Sequence, residues 1–128
     1  YTVQKTSNHP EIAWNLSPES LYDGGELTAL QTKLLQSCSS RVEIGGYLVY
    51  ATCSLSNSED QQVIDDFLAS SEGSHFEVQS LFECPARACL TTEAQEFLDT
   101  CITPEGFLQT AFASADCDAH FMAVLKRK

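Results

Sequence analysis

The stretch YLVYAT, Tyr47 to Thr52, constrains the fold more than any other part of this chain. It is short, aromatic and β-branched, and apolar on both alternating faces, so it reads as an interior strand of a parallel sheet that needs cover on both sides. Glu43-Ile44-Gly45-Gly46 turns the chain into it, and Thr52-Cys53-Ser54, a thiol between two hydroxyls, ends it. Everything before Ala51 looks structural, whereas the three residues after it look like a site.

The neighbouring periodicities place this strand between helices. Leu27, Leu30, Leu34, Leu35 and Cys38 recur at helical spacing between Glu26 and Cys38, after the turn-forming Asp23-Gly24-Gly25. Ser56 and Glu59 form a capping-box pattern ahead of Val63, Ile64, Phe67 and Leu68, which share one helical face. HFEVQSLF, His75 to Phe82, supplies a second strand and closes a β-α-β unit with an expected right-handed crossover. Thr92 with Gln95 can cap a short helix carrying Ala94, Phe97, Leu98 and Cys101. Phe107 to Phe112 and Ala119 to Lys126 read as strands, the last antiparallel because turn residues rather than a crossover helix precede it. The expected fold is α/β, the second half of a doubly wound sheet with parallel strands plus a final antiparallel strand.

Charge and cysteine usage narrow the function classes. Eighteen acidic against seven basic residues give a net charge of −11, a surface that by itself repels phosphate backbones. Six cysteines, Cys38, Cys53, Cys84, Cys89, Cys101 and Cys117, are irregularly spaced and several fall in apolar patterns, as expected of small buried hydrophobes in a reducing compartment. CPARAC, Cys84 to Cys89, has no second ligand pair at zinc spacing, Asp116 and Asp118 around Cys117 read as a solvated loop, and no metal is expected. No run approaches the ~20 apolar residues of a membrane span, so a soluble protein without a membrane partner is expected, and the acid-rich composition with unpaired cysteines fits an intracellular compartment, whether nucleus, cytoplasm or mitochondrion. His9, His75 and His120 form no Cys-His pair, and Tyr1 followed by a polar stretch suggests a piece of something longer.

In a doubly wound sheet ligands bind at the carboxyl ends of the strands, where Thr52-Cys53-Ser54 falls. A thiol there, shortly before a helix, can serve as a nucleophile, or it can be a buried residue that finishes a strand. Thr52 and Ser54 either orient the loop around Cys53 or satisfy turn amides.

Three segments carry a resemblance: NHPEIAWNLSPES, then LTALQTKLLQSC, then GGYLVYATCSLSNSEDQQVIDDFL. From about His9 to Leu68 they resemble the C-terminal half of the catalytic domain of Sun-type RNA cytosine-5 methyltransferases, and DAHFMAVLKRK resembles that family's closing strand. The Thr-Cys-Ser motif after a double glycine and a Leu-Val-Tyr strand is the specific part of the match. The resemblance implies the C-terminal half of a Rossmann-like methyltransferase sheet, with residues 1–128 a partial catalytic domain. It also implies that Cys53 is a nucleophile adding to carbon 6 of cytosine, with Thr52 and Ser54 supporting it, and that the substrate is an RNA, ribosomal RNA or a ribosomal assembly particle. Trp14 either lies near the RNA path or packs.

The same resemblance implies S-adenosylmethionine as cofactor of the complete protein, bound by a glycine-rich loop that this chain lacks. The cofactor-binding N-terminal half is expected in the same polypeptide or as a second chain, and this chain alone is expected to be inactive. Ala13 and Asn15 stand where the family is usually basic, Glu43-Ile44 replaces Lys-Pro, and Ala119-His120 replaces Gly-Phe. Retention of Thr52-Cys53-Ser54 favours an active methyltransferase. Loss of basic residues favours a degenerate relative that acts as a ribosome assembly or scaffold factor, with a partner protein supplying the basic RNA contacts.

Overall fold

The structure, a computed structural model, describes residues 26–54, 56–111 and 117–128. Helix α1 runs Glu26–Ser39, strand β1 Tyr47–Thr52, helix α2 Gln61–Leu68, strand β2 Phe76–Val78, helix α3 Thr92–Cys101, strand β3 Leu108–Thr110 and strand β4 His120–Arg127. Short 3-10 turns at Gly73–His75, Leu81–Glu83 and Pro85–Cys89 fill the connections on either side of β2. His9, Trp14, the Asp23-Gly24-Gly25 turn, Phe112 and Asp116 lie outside the described residues.

The last strand organises the sheet. β4 pairs antiparallel with β1 from Tyr47 opposite Lys126 to Thr52 opposite Phe121, and antiparallel with β2 from Phe76 opposite Arg127 to Val78 opposite Leu125. β3 also pairs antiparallel with β4, through Leu108 opposite Met122 to Thr110 opposite His120. The fold is α/β, as the periodicities indicated, and the final strand is antiparallel. The parallel ladder is not seen among the described strands, where every pairing is antiparallel. β1 and β2 point the same way, but β4 lies between them, so the β-α-β unit closes around an inserted strand. A strand that begins 68 residues after the end of β1 leaves no trace in the local pattern that defines β1 and β2.

Burial on β1 alternates, with Leu48 and Tyr50 buried and Tyr47, Val49 and Ala51 exposed. An interior strand covered on both faces was expected; among the described residues β1 has one hydrogen-bonded neighbour and one covered face. The covered face joins Phe76, Phe121, Ala123 and Leu125 from the other strands, and Phe107 just before β3, to Leu35 of α1 and Val63, Ile64 and Phe67 of α2. Each such fully buried side chain contributes about 1.5–3 kcal/mol. Phe107 and Phe121 sit tilted at 5.4 Å between ring centroids, and Phe67 meets Phe76 at 5.6 Å, spacings at which aromatic pairs attract beyond their burial.

The Gly-Gly turn behaves as its composition requires. Gly45 takes φ +80°, open to glycine and costly for other residues, and the Gly46 N–H donates to the Glu43 carbonyl at 2.9 Å. Gly45 N–H also donates to the Arg127 carbonyl and Arg127 N–H to that of Gly46, so the turn is stitched to the end of β4.

Three smaller expectations change. The α1 stripe is only partly used, since Leu35 is buried while Leu30, Leu34 and Cys38 are exposed. The helix beginning near Thr92 is capped one residue earlier, where Thr91 Oγ1 accepts from the Ala94 N–H at 3.3 Å. The cysteines are free thiols, but Cys101 alone is buried; Cys38 and Cys89 are exposed and the others half-buried. Among the described residues no helix is long and apolar enough to cross a membrane, and no group of three His, Cys, Asp or Glu could hold a metal ion.

Candidate functional site

Cys53 follows the last residue of β1, so it sits at the carboxyl end of that strand, where it is half-buried. It lines a cleft of about 290 Å³ together with Leu27 and Gln31 of α1, its neighbours Thr52 and Ser54, and Glu59. Each of the three motif residues is therefore at one place in the fold.

The hydroxyls on either side of Cys53 are both engaged. Thr52 Oγ1 donates to Asp60 Oδ1 at 2.5 Å and accepts from the Ser54 N–H at 3.3 Å. Ser54 Oγ donates to Glu59 Oε1 at 3.0 Å and accepts from the Ser56 N–H at 3.0 Å. Each of these side chains satisfies a turn amide, and each also bonds a carboxylate.

Glu59 is the hub. Besides Ser54, its carboxylate accepts from Gln31 Nε2 at 3.4 Å, and its backbone carbonyl accepts the Tyr50 hydroxyl at 2.6 Å. The loop is thereby joined to α1 and to β1 as well as to α2. Tyr50 is buried and its ring meets Phe121 edge-on at 6.3 Å. Burial, reinforced by Asp60 and Glu59, raises its hydroxyl pKa well above the ordinary value, so Tyr50 is a neutral donor. This arrangement corrects the capping box. α2 starts at Gln61 behind Asp60, whose side chain makes no capping bond, while Ser56 Oγ pairs with Ser58 Oγ. The Glu59 side chain that a capping box would turn back on Ser56 is spent on Ser54 instead.

Asp60 is 1% exposed, and among the described residues its Oδ2 has no hydrogen-bond partner. Burial pushes its carboxyl up to about 6, the Thr52 hydrogen bond pulls it down, and the charge of Glu59 adds to the rise. Sequence reasoning missed Glu59, Asp60, Gln31 and Tyr50 as members of the site. The signal available was the adjacent acidic pair Glu59-Asp60, which a solvated helix start explains equally well.

Against this geometry stand the comparisons with known proteins. Residues 3–126 match the family described as 16S rRNA methyltransferase RsmB/F. The chain belongs to that family. Ribosomal RNA small subunit methyltransferase F of Salmonella arizonae is 32% identical over 127 residues, covering 92% of this chain and 22% of the relative. Ribosomal RNA small subunit methyltransferase B of Thermus thermophilus is 43% identical over 61 residues, covering 48% of this chain and 15% of the relative. The chain thus spans under a quarter of the length of these curated relatives. Two solved structures share the fold: PH0851, with a TM-score of 0.65 at 24% identity, and a methyltransferase homolog from Pyrococcus horikoshii, with a TM-score of 0.57 at 21%. The first match covers 96% of this chain and 24% of the other, the second 80% and 31%.

The described glycines of this RsmB/F chain do not fit an S-adenosylmethionine cradle. Gly45 and Gly46 precede a strand, Gly73 follows α2, and Gly106 lies in the turn before β3; none opens a helix in a glycine-rich run. Elsewhere the CPARAC segment is held by a two-pronged ion pair between Arg87 and Asp99, the second prong at 2.7 Å, which docks the 3-10 turn on α3. Cys117 and Asp118 lie just before β4, and the Asp118 backbone carbonyl accepts from Thr110 Oγ1 at 2.7 Å. His75 ends a 3-10 turn and His120 opens β4 with its side chain exposed.

Proposed function

We propose that the complete protein methylates carbon 5 of a cytosine in ribosomal RNA and that Cys53 is its nucleophile. The observation carrying this reading is the thiol at the carboxyl end of β1, facing a cleft, in a chain of the RsmB/F family. Carbon 5 of cytosine is too weak a nucleophile to take a methyl group unaided. Addition of the Cys53 thiolate to carbon 6 forms the S–C6 bond and shifts the ring's electrons onto carbon 5. Once carbon 5 carries the methyl group, loss of its proton to a base restores the C5–C6 double bond and expels the thiolate. S-adenosylmethionine would supply the methyl group as an activated sulfonium. This chain supports its part by placing Cys53 and by holding Thr52 and Ser54 on either side of it.

The cofactor site belongs, on this reading, to a cofactor-binding half N-terminal to these residues, in the same polypeptide or as a second chain. The RNA-binding surface belongs there as well, because a net charge of −11 opposes phosphate contact. That charge also favours the second reading, a degenerate relative that serves ribosome assembly while a partner protein carries the RNA.

Calorimetry of S-adenosylmethionine binding to the complete polypeptide, followed by trapping on RNA containing 5-fluorocytosine, separates the two. The enzyme reading expects micromolar binding and a covalent adduct on Cys53 that Cys53→Ala abolishes. A well-folded protein that binds no cofactor and traps no RNA is the assembly factor.

A further inference from the structure

We infer that Asp60 is the positioning residue for Cys53, holding the thiol's backbone through Thr52 while Glu59 holds it through Ser54. The inference rests on the reading of Cys53 as the nucleophile and adds the device that keeps it in place.

Hydrogen bonds run from one side of Cys53 to the other. Asp60 Oδ1 accepts the Thr52 hydroxyl, and the same hydroxyl oxygen accepts the Ser54 N–H, so one side chain spans the residue between. Asp60 is itself held firmly. It is 1% exposed, and it sits directly before a helix whose Val63, Ile64 and Phe67 are all in the core. Core packing of α2 is thereby transmitted to the backbone of the Thr-Cys-Ser turn. A reacting group needs this kind of support, because a displacement of about 1 Å can cost on the order of a hundredfold in rate.

The ordinary structural explanations of Asp60 fail. It occupies the position before α2 but caps nothing with its side chain. Its second oxygen is buried with no hydrogen-bond partner among the described residues, so as a stabilising group it is a net cost that an apolar residue of similar size would avoid. A local rule broken at the mouth of a candidate site, with its one bond directed at the residue beside the thiol, is the mark of a functional position.

The test uses the complete polypeptide with Asp60→Leu, Asp60→Asn and Thr52→Val, and reads alkylation by iodoacetamide residue by residue. Freed from its anchor, the turn opens more often, and Cys53 alkylates about fivefold faster or more in Asp60→Leu and Thr52→Val, with Cys84 and Cys89 unchanged. Asp60→Asn keeps the carbonyl acceptor and restores the wild-type rate. In RNA methylation the first two variants lose about tenfold or more in kcat with little change in KM for RNA. An unchanged Cys53 rate in folded Asp60→Leu overturns the inference. If that variant unfolds, all three thiols accelerate together and Thr52→Val decides by the same reading. Alkylation needs no RNA, so a wild-type protein that neither methylates nor traps RNA refutes the nucleophile while the positioning is judged separately.

Discussion

Thr52 and Asp60, eight residues apart, are joined by a hydroxyl-to-carboxylate hydrogen bond of 2.5 Å that ties the end of β1 to the start of α2. Among the described residues the bond gives the buried Asp60 carboxyl its one side-chain partner, and it ties the chain on either side of Cys53 to α2.

Stability should depend on pH through Asp60. Its carboxyl titrates near 6 in the folded protein against 3.8 as the ordinary value, so between these pH values the folded state binds more protons than the unfolded one. Stability therefore falls as pH rises through this window, and the full cost is present above it. A rise of about two pKa units corresponds to at most about 3 kcal/mol. Denaturant unfolding of wild type and Asp60→Asn from pH 4 to 7 should show the variant gaining on wild type as pH rises. A difference that stays flat across the window contradicts the assignment.

Thr52→Val should cost more at pH 7 than at pH 5. The methyl group fills the space of the hydroxyl but leaves Asp60 Oδ1 buried without its donor, a loss of about 1–3 kcal/mol. It also removes the hydrogen bond that lowers the Asp60 pKa, so the ionised form becomes still less favourable. Equal destabilisation at the two pH values would show that the bond matters only through packing.

Phe67→Ala should be among the most damaging changes in the core. The ring is fully buried, meets Phe76 at 5.6 Å, and lies on α2 close behind the Asp60 anchor. A loss of about 3–5 kcal/mol is expected from chemical denaturation of the complete polypeptide.

Gly45→Ala isolates a backbone cost. Apart from Gly45 and its two chain neighbours, nothing lies within 4 Å of the position an added Cβ would take, so φ +80° rather than crowding opposes the change. About 1–2 kcal/mol should be lost, read as a shift in the denaturation midpoint without a change in slope.

The 128-residue chain on its own should self-associate. Val49 of β1 is 55% exposed and Leu34 of α1 56%, and both line one apolar cleft of about 300 Å³ beside the edge of β1 that has no strand neighbour among the described residues. An open, apolar strand edge recruits another chain. Sedimentation of the isolated chain should show oligomers that the complete polypeptide does not form. A monomer with a cooperative unfolding transition would count against a missing cofactor-binding half at this edge.

Local pattern carried a large share of this molecule. The helical stripe of α1, the strand YLVYAT, the Gly45 turn and the apolar face of α2 are all set by spacings of two to four residues, and each formed where the spacing placed it. The delivery of Cys53 to a strand's carboxyl end follows from the same short-range logic. Strand order did not follow, because β4 reaches β1 and β2 through contacts between residues far apart in sequence, and nothing in YLVYAT specifies the direction of its partner. The same limit applied to the site. Ser56 and Glu59 have the spacing of a capping box, but Glu59 turns to Ser54, Gln31 and the Tyr50 hydroxyl once the tertiary fold brings them within reach. Asp60 reads in sequence as one more acid at a helix start. Only the packing of α2 against the sheet buries it, withdraws it from water, and leaves Thr52 as its hydrogen-bond partner.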